Sequence, residues 1–394
     1  MKMGWAKVRL EDLTEQNSPI TYGVIKPGEE GSVRFVRGGD ISDGRVLVDQ
    51  LRTITTEVSE QYSRTLLRGG ELLMCLVGQP GQVAIAPDYL AGANIARQVG
   101  LIRLRSEFNA EFVKYFLQSP DGLTSLGAHT GGSVQQVINL GDLRTVEIPL
   151  PSPMEQHRIV AILDEAFAGI ATARAHAEQN LQNAPALFES QLQAVFSQRG
   201  EGWQERRLGD IAEVQSGGTP TVSKKEYWNG DVPWYSSGEL NETFTTNPER
   251  HVTALGIENS NAKLFPKGSL LVGMYDTAAL KMSILDRDGA FNQAIAGIKP
   301  NERIDTEFIR HAINAVKPIL LLERRGVRQK NLSLGKIKEI SVPLPALEVQ
   351  RSVVGHLREV VRETQRLEFL YQSKLEALNE LKQSLLHQAF SGRL

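Results

Sequence analysis

The side chains that could carry out catalysis do not form a recognisable catalytic arrangement. The acidic segment LDEAF at 163–167 resembles the carboxylate motif of nucleotide hydrolases, but no G-x-x-x-x-G-K-[ST] phosphate loop accompanies it. It also falls on an amphipathic helical pattern, which favours a solvated helix face. The segment ELK at 380–382 falls on a second helical pattern, which argues against a nuclease site. The sequence therefore predicts no catalytic residue.

Metal and disulfide chemistry are equally unsupported. The seven histidines form no His-Glu-x-x-His or His-x-x-x-His pair, so no metal site is predicted. The single cysteine, Cys75, lies in the apolar run LLMCLVG, which indicates a buried thiol and excludes an intramolecular disulfide. No segment resembles the Asn-Pro-Pro-aromatic motif with which amino-methyltransferases grip a flipped base. If the protein takes part in a reaction, we expect other chains to supply the chemistry.

Composition is that of an ordinary globular protein. The 394 residues are 41% hydrophobic, and 44 lysines and arginines face 46 aspartates and glutamates, for a net charge of −2. The basic excess of many nucleic-acid-binding proteins is therefore missing. The N-terminal segment has no apolar signal-peptide core, and no run of about 18 apolar residues could span a bilayer. We expect a cytoplasmic protein without a membrane partner.

An internal repeat organises the whole chain. The segment EIPLPSPMEQHRIV at 147–160 matches SVPLPALEVQRSVV at 341–354, and the gapless match extends over about 50 residues. Two pairs of upstream segments also correspond, VRFVRGGDI at 33–41 with VPWYSSGEL at 232–240, and AEFVKYFL at 110–117 with TEFIRHAI at 306–313. The chain is therefore predicted to use one unit of about 195 residues twice.

Each repeat has two parts of different texture. The first part alternates short apolar runs with Gly, Pro and Asn and carries one amphipathic helix, which predicts a mixed α/β domain. The last part, of about 45 residues, has a helical period with few breakers. In the second repeat, ten mostly apolar residues alternate three and four apart and form a heptad seam: Val353, Leu357, Val360, Thr364, Leu367, Tyr371, Lys374, Leu378, Leu381 and Leu385.

These sequence patterns predict an α+β protein in which two similar mixed α/β domains are separated by two long helices. A helix of this length extends about 65 Å and needs a partner, so we expect an antiparallel coiled coil with a pseudo-two-fold internal repeat. Pro185 predicts a kink or short break at 183–185. The predicted segments are a domain at 1–152, a long helix at 153–203, a domain at 204–346 and a long helix at 347–394.

One stretch and the repeated helix leads carry a family resemblance. The opening of the second domain reads QSGGTPTVSKKEYWNGDVPWYSSGEL at 215–240, both helices follow a PLP-x-x-x-x-Q lead, and the chain ends in HQAFSGRL. With these motifs the sequence resembles the specificity subunit of type I restriction-modification systems along essentially its whole length. The first domain departs from the pattern, since it has ITYGVIKPGEEGSVRFVRGGDI in place of the Gly-Gly-Thr-Pro opening.

The resemblance implies a function shared with other chains. Each domain would be a target-recognition domain that reads one half of a bipartite target in double-stranded DNA. The helices would set the spacing and dock two modification subunits, which carry S-adenosylmethionine and methylate adenine. Restriction subunits can join such a complex. The chain itself would bind no cofactor and would not be an enzyme alone.

Under this resemblance, two polar loops at equivalent positions are the first candidates for DNA contact. Arginine and lysine suit guanine, whereas glutamine suits adenine. A solvated surface run remains the alternative for both loops. The candidates in ERRGVRQKN of the second domain are Arg324, Arg325, Arg328, Gln329 and Lys330, and those of the first domain are His129, Thr130, Ser133, Gln135 and Gln136.

Two further surfaces are candidates for DNA contact. One surrounds the YWNG segment, and its residues are Lys224, Lys225, Tyr235, Ser236 and Ser237, with Arg34 and Arg37 as counterparts in the first domain. The other lies in GMYDTAALKM and consists of Tyr275 and Lys281, mirrored weakly by Gln79 and Gln82. We interpret Trp228 and Trp234 as packing aromatics rather than base-stacking residues.

Two alternatives to this function remain open. A related bipartite restriction or phage-defence system could use such a subunit with differently organised partners. A non-catalytic coiled-coil scaffold that binds proteins is an alternative of another class. Polar loops that differ at equivalent positions argue against the scaffold.

Overall fold

The computed structural model describes residues 4–127, 137–325 and 332–394, without the side chains of residues 276 and 322–325. The chain forms two compact units. The first comprises Met1–Gln179 and Tyr371–Leu394, and the second comprises Asn180–Leu370. Each unit contains one mixed domain and a part of each long helix, so the units group the chain differently from the four segments of the sequence, which stay a prediction.

The first unit is built on small sheets. An antiparallel sheet has the strand order Thr21–Tyr22, Val99–Ile102, Leu72–Cys75 and Val83–Ile85. A second sheet has Val33–Val36 between antiparallel Arg52–Ile54 and parallel Asn94–Ile95. The remaining strand pairs are Ala6–Arg9 with Glu147–Leu150 and Ile41–Ser42 with Arg45–Val46. The shorter helices are Thr56–Gln61, Ala110–Gln118, Pro120–Ser125 and Leu140–Thr145.

The second unit repeats this arrangement. Its antiparallel sheet has the order Val214–Ser216, Ile295–Ile298, Leu270–Gly273 and Met282–Ile284. Its second sheet has Trp228–Tyr235 between antiparallel Arg250–Val252 and parallel Ala290–Phe291. Gln204–Arg207 pairs with Ser341–Leu344. The shorter helices are Leu208–Ile211, Ala254–Glu258, Thr306–Arg325 and Leu334–Glu339.

The predicted repeat and the mixed α/β class are confirmed, because the sheets of the two units have the same strand order and the same mixture of parallel and antiparallel pairs. The central strands of the larger sheets are buried along their whole length, which explains their uninterrupted apolar sequences. At Gly297 even a β-carbon would come within 2.3 Å of the Phe291 ring, so this strand position requires glycine.

The two long helices run through Pro153–Ser197 and Leu347–Phe390. In the first unit, Leu163 near the start of the first helix shares a core cluster with Leu386 near the end of the second. In the second unit, Leu192 shares a cluster with Leu357, so the first helix ends where the second begins. Both clusters confirm the antiparallel pairing that the seam predicts.

The break expected at Pro185 is wrong. The first long helix continues through Pro185, and the buried residues Ala184 and Leu192 on either side belong to one stripe. A proline inside a helix removes one hydrogen bond at a cost of about 3 kcal/mol, which burial of the stripe offsets here. The kink stays a prediction.

In the second helix, Lys374 and Leu381 are exposed, whereas Leu386 and Ala389 are buried.

A repeated glutamine fixes the start of each long helix. Gln156 donates from Nε2 to the carbonyl of Pro151, at 3.0 Å. Gln350 donates in the same way to Pro345, at 2.8 Å, and also to Arg303, while its Oε1 accepts from the backbone N–H of Asp305. Both side chains are buried, so these hydrogen bonds explain why the lead into each helix contains glutamine.

Replacing Gln350 by leucine should lower the free energy of unfolding by about 3 kcal/mol, because buried backbone groups lose their partners. Chemical denaturation of the full chain measures this difference. The matched control is Gln365→Leu, an exposed residue of the same helix, which should change stability by less than about 0.5 kcal/mol. A decrease below about 1 kcal/mol for Gln350→Leu would contradict the proposed role.

Among the described residues, no helix combines the length and the apolar character that crossing a membrane requires.

Candidate nucleic-acid interface

The two polar loops that the sequence favours fall mainly outside the described residues. This applies to His129, Thr130, Ser133, Gln135 and Gln136 in the first domain, and to Arg328, Gln329 and Lys330 in the second. Their contact with DNA stays a prediction. Arg324 and Arg325 were expected in the loop, and this is wrong, because the helix Thr306–Arg325 continues past Pro318 to include them. Leu320 and Leu321 pack against the core and hold this last part of the helix.

Aromatic packing dominates the surface around the YWNG segment. Trp228 and Trp234 are buried and meet edge to face, with ring centroids 5.2 Å apart. The guanidinium carbon of Arg250 lies 3.5 Å from the Trp228 centroid, a close cation–π contact. Each indole N–H donates to a backbone carbonyl, so the interpretation of both tryptophans as packing residues is confirmed.

The lysines beside these tryptophans are exposed. Lys224 donates from Nζ to the hydroxyl of Tyr227 at 3.0 Å, and this bond raises the pKa of Lys224. Lys225 is exposed at the start of a short turn of 3₁₀ helix. Both lysines are placed where a phosphate could reach them.

Three neighbouring candidates have internal partners instead. The Tyr235 side chain is buried and its hydroxyl donates to the carbonyl of Thr246, so it is a core residue and not a surface contact. The Ser236 hydroxyl and N–H both bond to Glu239, which closes a capping box. At the equivalent place in the first domain, Asp40 accepts from the backbone N–H and the guanidinium of Arg37.

The Asp40 bond raises the pKa of Arg37 and neutralises its charge locally. Ser237 is half-buried in the turn that the capping box closes. Arg34 is exposed on the strand Val33–Val36. Of this predicted surface, Arg34, Lys224 and Lys225 therefore project into solvent.

The third predicted surface borders a cavity. Tyr275 packs partly against the core, whereas Lys281 donates from Nζ to Oδ1 of Asn241 at 2.9 Å. Lys281 lines the cavity together with Arg310 and Lys317 of the helix Thr306–Arg325. Sequence reasoning missed Arg310 and Lys317, although their seven-residue spacing places them on one helix face.

A carboxylate joins a domain helix to a long helix in each unit. In the first unit, the Tyr115 hydroxyl donates to Asp164 of the LDEAF segment, and burial together with this bond raises the pKa of Tyr115. In the second unit, Nε of Arg358 donates to Glu307 at 3.0 Å. Burial opposes ionisation of Glu307, but the neighbouring His311 and the bonds from Arg358 lower its pKa to about 2.

Potential metal ligands are not clustered in the described part of the chain. There, no group of three or more His, Cys, Asp or Glu side chains could hold a metal ion. Cys75 is buried, as predicted, and its thiol donates to the carbonyl of Val77. The arrangement suits contact with a ligand through hydrogen bonds and positive charge.

Comparison with known proteins agrees with the repeat. The family model described as "Type I restriction modification DNA specificity domain" matches twice, at residues 2–182 and 200–377. The chain is 31% identical over 204 residues to the EcoBI specificity subunit of Escherichia coli, covering 50% of this chain and 42% of that one. It is 26% identical to the EcoR124I/EcoR124II specificity subunit of Escherichia coli, covering 62% and 61%. The matches thus span less than two thirds of these relatives.

Solved structures share the fold along the whole chain. One, from work on complex assembly and conformational transition of the type I R-M system, has a TM-score of 0.74 at 20% identity and full coverage of both chains. The HsdS subunit from Thermoanaerobacter tengcongensis has a TM-score of 0.68 at 20% identity, covering 99% of this chain and 97% of that one.

Replacing Glu307 by glutamine should lower the free energy of unfolding by about 2 kcal/mol at pH 7. The neutral amide lacks the negative charge that attracts the Arg358 guanidinium. The depressed pKa makes this contribution complete above the ordinary value of 4.5, and it fades as the pH falls towards about 2. The difference between the two proteins should therefore shrink by half or more at about pH 3.

Urea denaturation at both pH values tests this expectation. Glu165→Gln, an exposed carboxylate of the first long helix, is the control and should have little effect at either pH. An equal stability difference for Glu307→Gln at the two pH values would contradict the assigned role.

Proposed function

The chain belongs to the type I restriction modification DNA specificity family, and we propose that it gives a restriction-modification complex its DNA sequence specificity. The observation that carries this proposal is the twofold match of the family model to two domains of the same sheet order. One architecture used twice supplies two readers. In this proposal each domain reads one half of a bipartite target in double-stranded DNA.

Differences between the two domains support separate half-sites. The second domain presents Arg250 over Trp228 and a cavity bordered by Lys281, whereas Arg34 projects from the first-domain strand that corresponds to Trp228–Tyr235. Two domains that recognise different DNA sequences are expected to have the same sheets but different polar residues on their surfaces. A structural duplication alone does not require such differences.

The long helices are proposed to set the spacing between the half-sites and to dock two modification subunits. Phe369 and Leu370 of the second helix are 76% and 56% exposed, and large apolar side chains on a helix surface favour a protein partner. Those subunits would carry S-adenosylmethionine and methylate adenine, and restriction subunits would join them. We propose that this chain contributes specificity without catalysis, in the cytoplasm.

Methylome sequencing tests the proposal. The full chain is expressed with its partner modification subunit, in a host without other adenine methylation. Methylated adenines within one bipartite motif would support the proposed function. A contiguous motif, or no new methylation with both proteins expressed, would overturn it. If the neighbouring genes encode methyltransferase and nuclease partners of a different organisation, the related bipartite system is favoured.

Replacing Arg328 and Lys330 by alanine should weaken binding to target DNA roughly tenfold or more, because each charged contact to DNA contributes about 1–3 kcal/mol. Gel-shift titration of the assembled complex at fixed salt gives the affinity. The control replaces Lys263 and Lys267, two exposed lysines of the same domain, by alanine and so removes the same charge. Equal affinities for the two double variants would exclude a specific role for the loop.

Lengthening both long helices by four residues should lengthen the unspecified spacer of the target. The insertions follow Gln179 in the first helix and Leu370 in the second, where the compact units divide. Four helical residues add about 6 Å, close to the rise of two base pairs. Methylome sequencing should show unchanged half-sites with a spacer longer by one or two base pairs. An unchanged spacer would show that the helices do not set the spacing.

A further inference from the structure

A small cavity in the second unit is surrounded by positive charge. Its volume is about 210 Å³. Lys281, Arg310 and Lys317 line it together with the amides of Asn241 and Asn314. Leu240, Leu280 and Met282 complete the wall, so no carboxylate among the described side chains borders the cavity. The three cationic side chains are half-buried, which leaves the cavity open to a ligand.

No described carboxylate forms an ion pair with these cations. Among the described residues, no ion pair joins Lys281, Arg310 or Lys317 to a carboxylate, and Nε of Arg310 is buried without a hydrogen-bond partner. Glu307, on the same helix, is already bonded by Arg358. Burial lowers the pKa of Arg310 in spite of the charge of Glu307. Burial with the charges of Arg310 and Lys281 lowers the pKa of Lys317 in spite of the charge of Glu189. Three cations held together in this way favour an anionic ligand.

The backbone holds Lys281 in place by an unusual conformation. Leu280 has a positive φ of 57° although it is not glycine, and its side chain is fully buried. Such strain persists only where surrounding packing enforces it, and it is common at ligand-binding positions. Lys281 thereby projects beside Asn241, while Arg310 and Lys317 approach from the helix Thr306–Arg325.

The first repeat lacks this cluster. By alignment of the two domain helices, Arg310 corresponds to Lys114, which forms an ion pair with Glu111, and Lys317 corresponds to Asp121. The duplicated fold therefore forms without three free cations at this place. This difference argues for a ligand of the second domain and against a role in folding.

We propose that the Lys281–Arg310–Lys317 cavity binds a phosphate group, and that this group is a backbone phosphodiester of the DNA which the second domain reads. The inference rests on the proposed function. Lysine and arginine are the usual phosphate ligands, and Asn314 adds a neutral donor, whereas the Asn241 amide bonds to Gly238 and Lys281. Such a contact fixes the position of the domain on the duplex without reading a base.

The location of the cavity favours DNA over free phosphate. The helix that carries Arg310 and Lys317 ends at Arg325, directly before the predicted reading loop. Asn241 follows the capping box formed by Ser236 and Glu239. The cavity therefore lies among the elements that lead to the predicted DNA surface.

The test replaces Lys281 and Lys317 by glutamine in the full chain, assembled with its modification subunit. Affinity for target and for unrelated DNA should fall by a similar factor, roughly tenfold. The slope of log K against log salt should become shallower by about 0.9 for each DNA phosphate that the variant no longer binds. The control with Lys263 and Lys267 replaced by glutamine should keep the wild-type slope. Equal slopes for all three proteins would overturn the inference.

Two additional arms identify the source of the phosphate. A series of duplexes carries one neutral methylphosphonate linkage, each at a different position. At one position the neutral linkage should weaken DNA binding by the wild-type complex, and the same linkage should not weaken binding by the double variant any further. If no linkage behaves in this way, the phosphodiester assignment is wrong. If inorganic phosphate raises the Tm of the wild-type chain above that in chloride at equal ionic strength, while the salt slopes agree, the cavity binds a small anion and the assignment also fails.

Stability and wild-type binding separate the remaining outcomes. Relief of mutual repulsion should leave the Tm of the double variant unchanged or raised. A Tm lowered by several degrees would assign the lysines to folding and overturn the inference. Failure of the wild-type complex to prefer any DNA would contradict the proposed function itself, whereas specific binding without an effect of the variant would contradict the cavity alone.

Discussion

The apolar stripe along each long helix has to be buried inside both compact units, and the rest of the structure depends on this burial. Most of the stability of such a 45-residue helix comes from packing of its apolar face against other elements. In the first unit the stripe closes over Phe112 and Tyr115 of the domain helix, and in the second over Phe308 and Ile309. Each domain core is therefore completed by helix segments that are distant in sequence, including the last residues of the chain.

This requirement explains which features the two repeats share. Gln156 and Gln350 fix the helix start, and Asp40 and Glu239 close the same backbone turn at the end of the second sheet. In each case a polar side chain bonds to backbone that would otherwise lack a partner. Polar side chains with that role are retained between the repeats.

Much of the architecture could be predicted from the sequence because repeats, apolar runs and seam positions report burial directly. The break at Pro185 could not, since burial on both sides of the proline outweighs its local effect. The roles of surface residues were harder to predict. Tyr235 and Arg37 look like ligands of DNA in a sequence, yet Thr246 and Asp40 already bind them. Arg310 was overlooked because a cation on an amphipathic helix has no special pattern until its unpaired neighbours are known.

The two joints between domain helix and long helix have opposite charge patterns. Asp164 and Arg358 occupy equivalent positions of the long helices, but the first accepts from Tyr115 and the second donates to Glu307. The first domain also has a glutamate, Glu111, at the position of Glu307, and there it forms an ion pair with Lys114. Equivalent positions of the two units are therefore joined by different bonds, although the sheets of both domains are built alike. Duplication preserved the fold but not the polar contacts of the joints.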